Sequence, residues 1–157
     1  MYETTEERLE ALKEIYPDFF CDHSPDNLVE YRRGDFKAPV IWETFSGRFR
    51  ICPRKIGSIR HIGSEFAKTF EEVLEKIKEN KIKADKDEYL WNLTMQILRN
   101  KLGNDLMTKL FNVFVITVNN GVFMSRLYYG NENDKVIKMT PDEMIKFFVS
   151  HYGCKGI

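Results

Sequence analysis

The stretch that most constrains this chain is Asn119-Asn120-Gly121, set between the runs FNVFVITV and VFMSRLYY. Asn-Gly supplies the positive φ values of a tight turn, and the flanking runs are rich in β-branched and aromatic residues, so they are expected to pair as an antiparallel hairpin. VIKM, shortly after, adds a third strand. A second hairpin is expected from PVIWETF and GRFRIC, separated by Ser46-Gly47. LVEY reads as a short strand ending at the turn Arg33-Gly34-Asp35, and DFFCDHSPDNL, which mixes aromatics with turn formers, reads as a packed loop.

Between these segments the apolar period changes to that of a helix. Thr4 with Glu7 forms a capping box ahead of Leu9, Leu12 and Tyr16, and Pro17 closes that helix. Thr69 with Glu72 repeats the pattern ahead of Phe70, Val73, Leu74 and Ile77, a stripe expected to end near Asn80. The polar segment KIKADKDE then reads as a linker. A third helix is expected from about Glu88 to Leu102, apolar at Leu90, Trp91, Leu93, Met95, Ile97 and Leu98 and wide enough for burial on more than one face. Gly103 stops it, and Asn104 or Asp105 caps a short helix over Leu106 to Leu110. Thr140-Pro141-Asp142-Glu143 starts a last helix with Met144, Phe147, Phe148 and His151 along one face.

Strands and helices come in blocks and not in βαβ alternation. The expected class is therefore α+β, with antiparallel β-hairpins packed against about four to five α-helices in a single domain, residues 1–157. Within it, residues 1–80 and 88–157 form two halves. A chain of 157 residues with 43% hydrophobic side chains can bury a core without staples. Its three cysteines, Cys21, Cys52 and Cys154, are odd in number and widely spaced, which argues against a secreted disulfide framework. The first residues lack the pattern of a signal peptide, and no apolar run approaches the length of a membrane span. The expectation is a soluble, cytoplasmic protein with no membrane partner.

Charge singles out one stretch. The chain carries 24 basic and 24 acidic residues, a formal net charge of zero. Yet WETFSGRFRICPRKIGSIRHIGS, Trp42 to Ser64, holds Arg48, Arg50, Arg54, Lys55 and Arg60 with no acid between Glu43 and Glu65. Alternation along the hairpin puts Arg48 and Arg50 on one face and Phe49 and Ile51 on the other. These five cations suit a phosphate backbone, DNA or RNA. Trp42 and Phe45 are the candidate base-stacking rings, but Phe45 and Phe49 are expected in the core before they are expected as stacking platforms. Glycines in the loop after the hairpin would let backbone N–H groups approach a phosphate.

In order, LEALKEIYPDFFCDHS, LVEY, and VIWETFSGRF followed by CPRKI resemble the treble-clef zinc-binding repeats found beside phage and restriction-type endonucleases. The resemblance covers residues 5 to 80: Pro17 to Ser24 match the aromatic loop, Gly47 and Phe49 the Gly-x-Phe of the hairpin, Pro53 the following proline, and Thr69 to Ile77 the next helix. Where that family has its first Cys and His, this chain has Glu43 and Ser46. The resemblance implies a relative without its zinc, acting as a nucleic-acid-contacting accessory domain, in the host cytoplasm if phage-encoded.

No Walker loop, His-Glu-x-x-His, Gly-x-Ser-x-Gly or dinucleotide fingerprint is present, and Asp35, Lys37 and Glu43 only faintly suggest a metal-dependent nuclease. No catalytic residue and no cofactor is assigned. Cys21-x-His23, Cys52 with His61, and His151-x-x-Cys154 are donor pairs without the doubled Cys-x-x-Cys form, and no metal is expected. The rival to nucleic-acid contact is a protein-binding inhibitor or adaptor that occludes a partner, with the acidic helix 71–79 as its docking face. Oligomeric state is not legible.

Overall fold

The computed structural model describes residues 2–23, 28–58, 64–127 and 136–153. Among these residues the fold is α+β, with four α-helices and two antiparallel sheets. Among the described residues no helix is long and apolar enough to cross a membrane. The chain gathers into two compact units, one comprising Met1–Arg54 and Arg60–Ile82, the other Lys55–Ile59 and Lys83–Ile157.

The first unit opens with α1 (Thr5–Ile15), where Thr4 accepts from the Glu7 backbone N–H at 3.1 Å. There follow β1 (Phe19–His23), β2 (Val29–Arg33), β3 (Val40–Glu43), β4 (Phe49–Cys52) and β6 (Glu65–Ala67). They form one sheet in the order β1-β2-β3-β4-β6, antiparallel throughout. Its inner face presents Phe19, Tyr31, Ile41, Phe49, Ile51 and Ala67 to Leu12 and Tyr16 of the first helix and its C-cap, and to Phe70, Val73, Leu74 and Ile77 of α2 (Phe70–Leu102). Each such buried apolar side chain contributes about 2 kcal/mol relative to exposure.

The second unit contains β5 (Ile56–Gly57), α3 (Asn104–Val113), β7 (Phe114–Asn119), β8 (Val122–Leu127), β9 (Ile137–Met139) and α4 (Pro141–Gly153). Its sheet runs β5-β7-β8-β9. Met95, Leu98 and Leu102 of α2 join Met107, Leu110, Phe114, Ile116, Phe123, Met144 and Phe148 in its core. The hairpin over Asn120-Gly121 is tight, with φ of 51° and 80° at the two residues, the geometry an Asn-Gly pair was expected to favour. The carboxylate of Asp87, itself buried, accepts both turn N–H groups at 3.0 Å. Thr140 and Glu143 cap α4 reciprocally.

Several local expectations are corrected. KIKADKDE is not a linker: α2 runs unbroken for 33 residues, because the segment contains neither Gly nor Pro and supplies Ala84 and Asp87 to a buried stripe. That stripe is one face only, since Leu93 is exposed. Phe19 to His23, read as loop, pair with β2 over five residues. Phe111 to Val113, read as strand, complete α3, whose N-cap is Gly103 with no side-chain cap from Asn104 or Asp105. Gly57 approaches protein and not phosphate. A Cβ there would lie 2.5 Å from the Ile116 carbonyl oxygen, and the neighbouring Ser58 N–H is already given to that carbonyl at 2.9 Å.

Candidate functional site

The register of the first sheet places the candidate residues directly. Asp22 faces Glu30, Glu30 faces Trp42, Trp42 faces Arg50, and Arg50 faces Phe66. Directly opposed residues point to the same side of a sheet, so these five make one row across all five strands, on the face away from the core. Arg50 is exposed, and its Cζ lies 5.1 Å from the centroid of the Trp42 ring. Phe66, on the other side of Arg50, is 57% exposed. The face is not open along its whole length: Val40 and Cys52, paired one step further along β3 and β4, are buried.

Arg48, the residue before β4, is exposed and by alternation projects to the side of Arg50. Among the described residues neither Arg48 nor Arg50 meets a carboxylate. At the other end of the row Asp22 lies 3.4 Å from Arg32, whose guanidinium is 4.9 Å from the Phe20 ring centroid. Arg54 is half-buried, and its backbone N–H and carbonyl are both held by the Asn80 side chain at 3.0 Å. Lys55 is exposed but belongs to the second unit, and Arg60 lies outside the described residues.

Phe45 departs from its expected place in the core. The turn begins at Thr44 and not at Ser46: the Thr44 hydroxyl donates to the Arg48 carbonyl at 2.7 Å, the Gly47 N–H donates to the Thr44 carbonyl at 3.1 Å, and Gly47 takes a φ of 80°. Phe45 therefore sits in the loop, 81% exposed, while Phe49 is buried. Phe66 was missed altogether. The run Glu65-Phe66-Ala67 does not alternate in polarity and is too short to mark a strand.

Glu43 has a structural task. Its Oε1 accepts from Arg8 Nη1 and, at 2.6 Å, from the Tyr31 hydroxyl. Burial works to lower the Arg8 pKa, but the bond and charge of Glu43 outweigh it and hold the guanidinium above its ordinary value. Burial first, then Glu43, pushes the Tyr31 phenol well above its own. The carboxylate once considered for a nuclease site is thus engaged in binding α1 to the sheet. Ser46, at the other position where the treble-clef repeats carry a ligand, lies with its Oγ 3.0 Å from Thr44 Oγ1. Cys21 is kept a thiol by burial and by Glu43, Asp22 and Glu6. Among the described residues no three His, Cys, Asp or Glu side chains come together to hold a metal ion.

Compared with known protein families, curated proteins and solved structures, the chain matches none.

Proposed function

We propose that this protein is a non-catalytic nucleic-acid-contacting accessory protein, and that Arg48 and Arg50 on the outer face of the five-stranded sheet bind the phosphate backbone. The observation that carries the reading is the state of these two guanidiniums. Both are exposed, neither is neutralised by a carboxylate among the described residues, and one lies over an indole, 5.1 Å from its centroid. An arginine lying on an aromatic ring keeps its N–H donors in the plane of the guanidinium, where a phosphate oxygen can reach them. Unit one is also polarised. The exposed acids Glu6, Glu7, Glu10 and Glu14 lie on α1, which packs against the opposite face of the sheet.

The test is a salt titration of oligonucleotide binding with the intact chain. Each phosphate contact steepens the fall of log affinity with log salt by about 0.7 for single strands and 0.9 for duplex. Arg48→Glu with Arg50→Glu is expected to weaken binding by about tenfold or more at low salt and to flatten that slope by about two contacts. Retained binding in the double variant removes the site. Absence of binding by the parent chain at low salt favours the protein-binding inhibitor or adaptor, for which the exposed Phe45 and Phe66 rings would be the contact surface.

A further inference from the structure

We infer that the occupant of this face is unpaired nucleic acid, with Trp42 and Phe66 serving as base platforms on either side of Arg50 and Phe45 as a third ring at the hairpin loop. The inference rests on the phosphate-contact reading above and narrows it to a substrate class. Three observations carry it. First, the rings and the cations share one surface: Trp42, Arg50 and Phe66 are neighbours in a single row on three adjacent strands. Neighbouring strands lie about 4.8 Å apart, so the Trp42 and Phe66 backbones are roughly 10 Å apart with the guanidinium between them. That is room for two bases and the phosphate that links their sugars to be laid across the sheet.

Second, the two rings beyond Trp42 are open to solvent. Phe45 is 81% and Phe66 57% exposed, and among the described residues neither is packed against another ring. An exposed aromatic face recruits a base only if that base has left its own stack, because a duplex offers base edges in its grooves and keeps base faces covered. Third, the charge is too sparse for duplex binding by phosphate contact alone. Proteins that hold duplex chiefly through the backbone make on the order of 6–10 phosphate contacts. Among the described residues this face offers two arginines without a carboxylate partner, and its far end carries Glu30 and Asp22 in the same row. Stacking, which does not depend on salt, has to supply the balance.

The experiment compares oligo-dT, oligo-U and a dT·dA duplex of equal length by fluorescence anisotropy at low salt, together with Trp42 emission in a Trp91→Phe background. The expected result is tighter binding of the single strands than of the duplex, quenching of Trp42 on binding, and a loss of about tenfold in single-strand affinity for Phe66→Ala with duplex affinity unchanged. Phe66→Trp is expected to hold or raise single-strand affinity, and circular dichroism melts confirm that both variants keep the fold. Equal binding of single strand and duplex, with no effect of Phe66→Ala or of Phe66→Trp, overturns the platform while leaving the phosphate reading in place. No binding to any of the three overturns both.

Discussion

The two hairpins of this protein have similar sequence patterns and opposite fates. In the hairpin of β7 and β8, two residues at positive φ make the turn, and a buried carboxylate from α2 takes both turn N–H groups. Phe123, two residues past Gly121, is wholly buried and stacks with Trp91 at 6.1 Å between centroids. In the hairpin of β3 and β4, the turn is longer and its hydrogen bonds are made within Thr44 to Arg48. Its carboxylate, Glu43, grips the strand below the turn and leaves the loop unheld. Phe45, two residues before Gly47, lies within that turn and is outside. The difference is one of position: Phe123 pairs with Val118 in the ladder, where alternation turns it to the core, while Phe45 falls between the paired residues Glu43 and Phe49. Only the second case leaves a ring and two arginines available to a partner.

The comparison breaks most readily at Phe123. Phe123→Ala is expected to cost about 4 kcal/mol, measured by urea unfolding, as the ring leaves a cavity against Trp91. Should it cost as little as a surface change, the burial of that hairpin is not what stabilises the second unit. Asp87→Ala comes next, at about 2 kcal/mol, because two turn N–H groups lose a charged acceptor. Asp87→Asn, which keeps one acceptor oxygen, should recover part of it.

Tyr31→Phe tests the other anchor and carries a pH signature. The phenol of Tyr31 is held above its ordinary value of 10.0 by burial and by Glu43, so folding favours its protonated form. Its contribution is complete below the unfolded pKa and is lost as pH rises from about 10 through the folded value. The parent chain should therefore lose stability in that alkaline window. Tyr31→Phe should lack this part of the dependence and cost about 1 kcal/mol at neutral pH. The smallest effect is expected at Phe45→Ala, within about 0.5 kcal/mol by the same urea titration. A larger loss would mean that the ring is packed, and would remove it from the candidate surface.

Much of the local structure was legible without coordinates. Capping boxes at Thr4, Thr69 and Thr140 mark three helix starts because the bonds they make span only three residues. Asn120-Gly121 marks its turn because the φ values are a property of those two residues. Errors came where a distant partner overrode the local signal. The segment 81–88 looks like a linker until its Ala84 and Asp87 are seen to be buried, and Gly57 looks like a phosphate loop until β7 lies against it. The candidate site was half legible. Alternation alone put Arg48 and Arg50 outside and Phe49 and Ile51 inside, but nothing near in sequence joins Trp42 to Phe66.

The sequence by itself determined the class of fold, the helix starts, the hairpins and the outward face of the two arginines, since each follows from bonds or periodicities within a few residues. Only the tertiary structure decided that Arg50 lies over Trp42, that Glu43 is occupied by Arg8 and Tyr31, and that Phe66 stands beside Arg50. Those outcomes depend on strand register and on contacts between residues far apart in the chain, where no local rule operates.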